Sequence, residues 1–320
     1  MSEFDLIAKY FNRPTGRRDV LLNVGDDAAV LQVPSDRRLV AAVDTIVEGV
    51  HFPAGTAAAA IGYRAMAVNL SDIAAMGATP TWTTLSLSLP AADTAWLNEF
   101  ASGLYRVAES HDVALVGGDT VRGPLAATVS IMGLVEIDVW LTRARAKPGD
   151  TIFISGIPGE AAAGLAVLQR SLLDTGAHEH LIKRFLWPEP RVHLGRTLRT
   201  LASAAIDVSD GLLADLEHIC LQSGCGAHIN VESLPASAPM RNTFSAEECE
   251  RFALAGGDDY ELLFTVPPGK LLSVEAAIAQ GVRCTPIGRM TETQGIICCR
   301  DGKPIEVQRR GYDHFSSERN

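Results

Sequence analysis

Positive charge is what this 320-residue chain has too little of: 28 Lys and Arg stand against 38 Asp and Glu, a formal net charge of −10. With a pI near 5.3 it offers nucleic acid and anionic membrane little attraction, and neither is an expected partner. Long apolar runs are missing as well. The longest are alanine-rich and break well short of the roughly 18 residues that a membrane span needs. Residues Met1 to Tyr10 carry Glu3, Asp5 and Lys9 with no apolar stretch behind a basic segment, so no secretory signal is read and a cytoplasmic location is expected. Cysteine is absent before Cys220, and the six that follow form no CxxC and have no matching His pair. That argues against a zinc site and against a disulfide framework. Neither a GxxxxGK[ST] phosphate loop nor a GxGxxG fingerprint occurs.

What remains is an ordinary globular composition, 47% hydrophobic and 21% charged, long enough for about two domains. Two apolar runs over 20–33 flank Gly25-Asp26-Asp27 and read as strand, acidic turn, strand. Residues 39–44 read as a buried strand ending on Asp44, 56–75 as a helix carrying Asp72, and 81–89 as a half-buried strand. A helix over 93–110 and strands over 113–116 and 125–135 follow, the first running into Gly117-Gly118-Asp119-Thr120. This is α+β patterning rather than a regular βαβ repeat. Lys147-Pro148-Gly149-Asp150 is a turn cluster, and the domain boundary is placed before it, giving 1–146 and 147–320. Beyond it the pattern predicts a strand over 151–155, helices over 159–173, 192–201 and 212–222, and strands ending at Asp207 and covering 261–266.

Aspartate number 20 of the acids, and many sit beside Gly, Ser or Thr, which is turn and ligand chemistry. Asp26, Asp27, Asp44, Asp72, Asp119, Asp207 and Asp210 end strands or occupy Gly turns without Lys or Arg neighbours. Gathered in space, such carboxylates repel each other unless cations neutralise them. An oxygen-only donor set suits Mg²⁺, which takes one or two carboxylates together with substrate phosphates. Any single Asp-Gly pair is equally an ordinary turn. The Ser and Asp of Asp207-Val208-Ser209-Asp210-Gly211-Leu212 can cap a helix as readily as they bind metal and phosphate.

Taken together, the segments resemble the thiamine-monophosphate kinase family of the aminoimidazole-ribonucleotide-synthetase-like superfamily. The resemblance rests on residues 24–30 (Val-Gly-Asp-Asp-Ala-Ala-Val), Asp44-Thr45, 48–52, 69–78, Gly117-Gly118-Asp119-Thr120, 207–212, 256–262 and Gly311-Tyr312-Asp313-His314-Phe315, in that order along the chain. One departure is Asp258, where the family commonly has Glu. The resemblance implies two α/β domains: an N-terminal ATP- and Mg²⁺-binding domain that pairs with its copy in a homodimeric β-barrel, and a C-terminal α/β domain. It also implies direct, Mg²⁺-dependent phosphoryl transfer from ATP to thiamine monophosphate, giving thiamine diphosphate and ADP with no catalytic nucleophile on the protein. Under it Asp27, Asp44, Asp72, Asp119, Asp207 and Asp210 are Mg²⁺ ligands. Gly118, Asp119, Arg143 and Ser209 contact ATP, with Arg145 an equally basic neighbour of Arg143. His51, Asp258 and Tyr312 contact the thiamine substrate. Selenophosphate synthetases and the hydrogenase-maturation dehydratase of the same superfamily need an early reactive or a C-terminal Cys, which this sequence does not have. A non-catalytic cation- or nucleotide-binding module is the reading from another class.

Overall fold

A computed structural model of the chain describes residues 3–172, 176–279, 281–307 and 311–312. Two compact units result: residues 1–73 with 78–139, and residues 74–77 with 140–320.

The first unit opens with α1 (Glu3–Leu6) and a π-helical turn over Ile7–Phe11. Strands β1 (Val20–Leu22) and β2 (Val30–Leu31) pair antiparallel, as the two apolar runs around Gly25-Asp26-Asp27 predict. A four-stranded sheet follows from β3 (Arg37–Val47), β4 (Thr79–Leu89), β5 (Ala114–Arg122) and β6 (Ala126–Glu136), in the order β3-β6-β4-β5. Helix α2 (Ala58–Ala75) precedes β4, and α3 (Thr94–Ser110) joins β4 to β5. These two strands are parallel, so one βαβ crossover sits inside a sheet that is otherwise antiparallel. Asp93 caps α3, its carboxylate accepting the N–H groups of Ala95 and Trp96.

Three sequence expectations change here. The strand expected to be buried around Asp44 is an edge strand in which only Ile46 is fully buried, and it runs three residues past Asp44. The strand 81–89 lies between β6 and β5 and is mostly buried rather than half-buried: the consecutive residues Thr81, Trp82 and Thr83 are all buried, so both faces of the strand are covered there. Gly117-Gly118-Asp119-Thr120 does not follow a strand but continues it: β5 takes a bulge at Val116, where register slips from Leu115 opposite Thr83 to Gly117 opposite Thr84, and then runs on. Bulges re-aim side chains and gather beside functional sites.

The second unit is built on a seven-stranded sheet from β7 (Thr151–Ser155), β8 (Ala204–Asp207), β9 (Gly226–Asn230), β10 (Leu262–Val266), β11 (Cys284–Thr291), β12 (Gly295–Arg300) and β13 (Lys303–Ile305). Its order is β13-β12-β9-β11-β7-β10-β8, and only the β12 and β9 pair is parallel. Helices α4 (Glu160–Gln169), α5 (Gly176–Leu186), α6 (Val192–Leu198), α7 (Leu212–Ser223), α8 (Ala238–Thr243), α9 (Ala246–Ala255) and α10 (Leu271–Ile278) surround it. Strands β8 and β10 are buried along their whole length, apolar but for Asp207 at the end of β8 and Thr265 in β10. Leu212, Leu216 and Ile219 of α7 join Ile152, Ile206 and Leu263 of the sheet in one core. Among the described residues no helix is long and apolar enough to cross a membrane, and none of the six cysteines is in a disulfide.

Candidate active site

In the second unit, β8 ends on Asp207 and the chain turns through Val208-Ser209-Asp210-Gly211 into α7. The turn is held from below by a residue the motif reading passed over. Asp215, in the first turn of α7, accepts the backbone N–H groups of Ser209, Asp210 and Gly211 on one oxygen, Oδ2, at 3.0, 3.1 and 3.2 Å. Asp207 and Asp215 are both buried. Burial first, and then the charges of Asp207 and Asp210, push the Asp215 carboxyl up to about 8 against the opposing pull of the N–H donors. Oxygen donors crowded in this way fit a hard cation, which would cancel the repulsion. Among the described residues no three carboxylate, imidazole or thiol side chains form a ready-made metal cage. Mg²⁺ keeps water and phosphate oxygens in its shell, so the donor set suits an ion that arrives with a nucleotide.

The carbonyls of the same turn reach outward. Ser209 accepts the N–H of Asp258 at 2.8 Å, and Asp210 accepts the N–H of Tyr312 at 2.9 Å. Val208 exchanges bonds with Tyr260 and Glu261, both 2.8 Å. The structure thus brings Asp207, Ser209, Asp210, Asp258 and Tyr312 to one turn. Of the last motif, Asp313, His314 and Phe315 lie outside the described residues.

The segment 256–262 divides its polar residues between two tasks. A Cβ at Gly257 would stand 2.4 Å from the Ser209 carbonyl, so glycine lets the two backbones meet. Asp258 and Tyr260 have φ of 70° and 52°, a left-handed conformation costly for most side chains. Short Asp tolerates it better than Glu, a physical reason for the departure at Asp258. Asp259 and Glu261 point the other way. Asp259 accepts the N–H groups of Gly159 (2.5 Å) and Ala161 (3.1 Å) at the start of α4, and burial lifts its carboxyl well above the usual range. Glu261 is fully buried and binds Arg184 at 2.8 Å, Arg191 at 2.5 and 2.7 Å and the Ser155 hydroxyl at 2.5 Å. Burial pulls the Arg191 guanidinium down, but its bonds to Glu261 outweigh that and carry it above its ordinary value.

In the first unit a cavity of about 560 Å³ is lined by Ile7, Phe11, Asp26, Asp27, Gly118 and Asp119 among others. Two proposed metal ligands and a proposed nucleotide contact therefore line one space large enough for a small ligand. Gly118 also has a packing reason: a Cβ there would lie 1.9 Å from the Leu85 carbonyl on β4. Gly118→Ala is accordingly expected to lower the melting temperature as well as activity, because backbone must move; calorimetric melting of the ligand-free protein checks it.

The other predicted residues of this unit stand elsewhere. Asp44, within β3, gives its backbone N–H to Oδ1 of Asn69 at 3.0 Å, and Asp72 lies one turn beyond Asn69 on α2. Neither lines the cavity. His51 accepts the Val47 N–H on Nδ1 at 3.1 Å, so its neutral ring carries the proton on Nε2. In the second unit Arg143 is exposed, whereas the guanidinium of Arg145 lies over the Trp140 ring at 6.0 Å.

Similarity to known proteins defines the class. Residues 25–135 match the family described as AIR synthase related protein, N-terminal domain, and residues 147–298 match its C-terminal domain, so this is a two-domain AIR-synthase-related α/β protein. The chain is 47% identical over 320 residues to the thiamine-monophosphate kinase of Escherichia coli (strain K12), covering 98% of each. A crystal structure of the thiamine-monophosphate kinase from Stenotrophomonas maltophilia K279a superposes with a TM-score of 0.86 at 45% identity, over 91% of this chain and 93% of that one. AaThiL complexed with AMPPCP and TMP superposes with a TM-score of 0.79 at 32% identity, over 91% and 92%. The chain belongs to the thiamine-monophosphate kinase family.

Proposed function

We infer that the protein phosphorylates thiamine monophosphate at the expense of ATP, with Mg²⁺, giving thiamine diphosphate and ADP. The observation that carries this reading is the convergence of Asp207, Ser209, Asp210, Asp258 and Tyr312 on one hydrogen-bonded turn, in a chain 32% identical to a relative complexed with AMPPCP and TMP. An oxygen of the substrate phosphate attacks the γ-phosphorus as the bond to the β,γ-bridging oxygen breaks, and that electron pair leaves with ADP. Positioning and charge neutralisation suffice for such a transfer, so no side-chain nucleophile is required.

Asp27, Asp44, Asp72 and Asp119 of the first unit and Asp207 and Asp210 of the second are assigned as Mg²⁺ ligands. Mg²⁺, when bound, offsets the negative charge of the phosphates and the carboxylates together. Gly118, Asp119, Arg143 and Ser209 are assigned to ATP. Arg143 supplies a guanidinium fork, the geometry that suits phosphate oxygens. Asp258 and His51 orient the second substrate, and the part-exposed ring of Tyr312 offers a face for an aromatic ring. The purified protein incubated with ATP, Mg²⁺ and thiamine monophosphate yields thiamine diphosphate and ADP in equal amounts; ADP with no diphosphate would refute the reading.

The working form is proposed to be a homodimer in which first-unit sheets pair into a barrel. Supporting this, β3 is an eleven-residue edge strand whose outer face shows Leu39 (50% exposed) and Val43 (59%). Long apolar edges of this kind are normally covered. Val43→Lys is expected to shift the protein from dimer to monomer in light scattering; a wild-type monomer at micromolar concentration would overturn the assignment.

A further inference from the structure

We propose that Asp215 is a positioning residue for phosphoryl transfer, fixing the turn Ser209–Gly211 in the one conformation that presents the metal-side and substrate-side groups together. The inference rests on the functional reading above, and it follows from where every peptide group of the turn is bonded. The three N–H groups of Ser209, Asp210 and Gly211 all end on Oδ2 of Asp215, while the carbonyls of Ser209 and Asp210 hold Asp258 and Tyr312. One buried carboxylate oxygen thus sets the plane of successive peptides. Those peptides carry the Ser209 and Asp210 side chains, and through their carbonyls they hold Asp258 and Tyr312.

Asp215 is itself fixed. It is 2% exposed, its own N–H bonds to the Gly211 carbonyl at 2.9 Å, and its helix neighbours Leu212, Leu216 and Ile219 are in the core. All three donors converge on a single oxygen, so an amide can offer its oxygen in the same place only as a neutral, weaker acceptor, with an NH₂ where Asp215 has Oδ1. Asp215 therefore orders the turn although it is assigned no contact with metal, nucleotide or substrate. Replacing groups that orient metal ligands typically costs about 10- to 100-fold in metal affinity or activity.

Two variants, Asp215→Asn and the more severe Asp215→Ala, test this with two readouts. In the ligand-free protein, hydrogen exchange at the amides of Ser209, Asp210 and Gly211 is expected to speed up by at least about tenfold while the strand amides of β7 and β10 keep wild-type protection. In kinetics, kcat falls by about 10- to 100-fold and the Mg²⁺ concentration for half-maximal rate rises, with partial recovery at high Mg²⁺. A merely structural role gives another result: activity falls only in proportion to the folded fraction, with unchanged Mg²⁺ dependence and uniformly faster exchange. That outcome, or wild-type exchange at the three amides, overturns the proposal. If the wild type makes no thiamine diphosphate, the functional reading fails, yet the exchange experiment still decides whether Asp215 orders the turn.

Discussion

Asp210→Asn is expected to reduce turnover by about a thousandfold or more while the ligand-free protein melts within a few degrees of wild type. The size follows from the work the carboxylate does. Removing a charge that holds a metal on a transferring phosphoryl group costs about 4 kcal/mol of transition-state stabilisation, and each 1.36 kcal/mol is a factor of ten. The small stability effect follows from the local structure. Two of the bonds that tie Asp210 into the fold are made by its backbone, its N–H to Asp215 and its carbonyl to Tyr312, and neither is touched by the substitution. Its side-chain charge is instead repulsive toward Asp215. Without metal the variant should therefore be no less stable than wild type. With Mg²⁺ and ATP, the ligand-induced rise in melting temperature seen for wild type should shrink or vanish. A large loss of stability in the ligand-free variant would mean that Asp210 is structural.

Glu261→Ala should do the opposite, unfolding the protein with no direct loss at the site. Its carboxylate is fully buried between Arg184 and Arg191, whose side chains are 14% and 13% exposed. Truncation takes the buried carboxylate from both guanidinium groups and from the Ser155 hydroxyl, leaving Arg184 with Glu160 at 3.2 Å and Arg191 with Glu189 at 3.1 Å, and breaking a buried pair costs about 3–5 kcal/mol. For a unit of this size that is a fall of roughly 6–20 °C, read by calorimetry. Protein that remains folded should keep near-normal Mg²⁺-ATP affinity. Glu261→Gln tests the charge apart from the shape and is expected to fall between the two. Three residues earlier in the same motif, Asp258 should show the converse profile, with activity lost and melting retained.

Much of the first unit was legible because its signals are local. The helix opening near residue 93, the strand over 81–89 and the acidic turn between β1 and β2 each follow from a few neighbouring residues. Burial was less so, since the exposed character of β3 depends on which strand lies beside it. In the second unit β11 escapes a strand reading because Pro286 and Gly288 interrupt it; the structure accommodates them with a bulge between those positions. Helix α9 carried a readable sign, a capping box between Ser245 and Glu248.

For the site, the spaced aspartates and the resemblance gave the candidates, and the turn after β8 gathers five of them. Sequence could not sort the acids by task. Asp258, Asp259 and Glu261 are near neighbours, yet one sits in a left-handed conformation beside Ser209 and the other two are buried brackets. Asp215 had a signal that went unread: an acid set among Leu212, Leu213 and Leu216 on the apolar face of a helix has to be bonded.

The proposed direct transfer between two phosphates is tested with ATP labelled with ³²P in the γ position. One terminal label should appear in thiamine diphosphate for each ADP formed, with none on the protein after rapid acid quench. Label trapped on the protein and then chased into product, or label released only as inorganic phosphate, would contradict it.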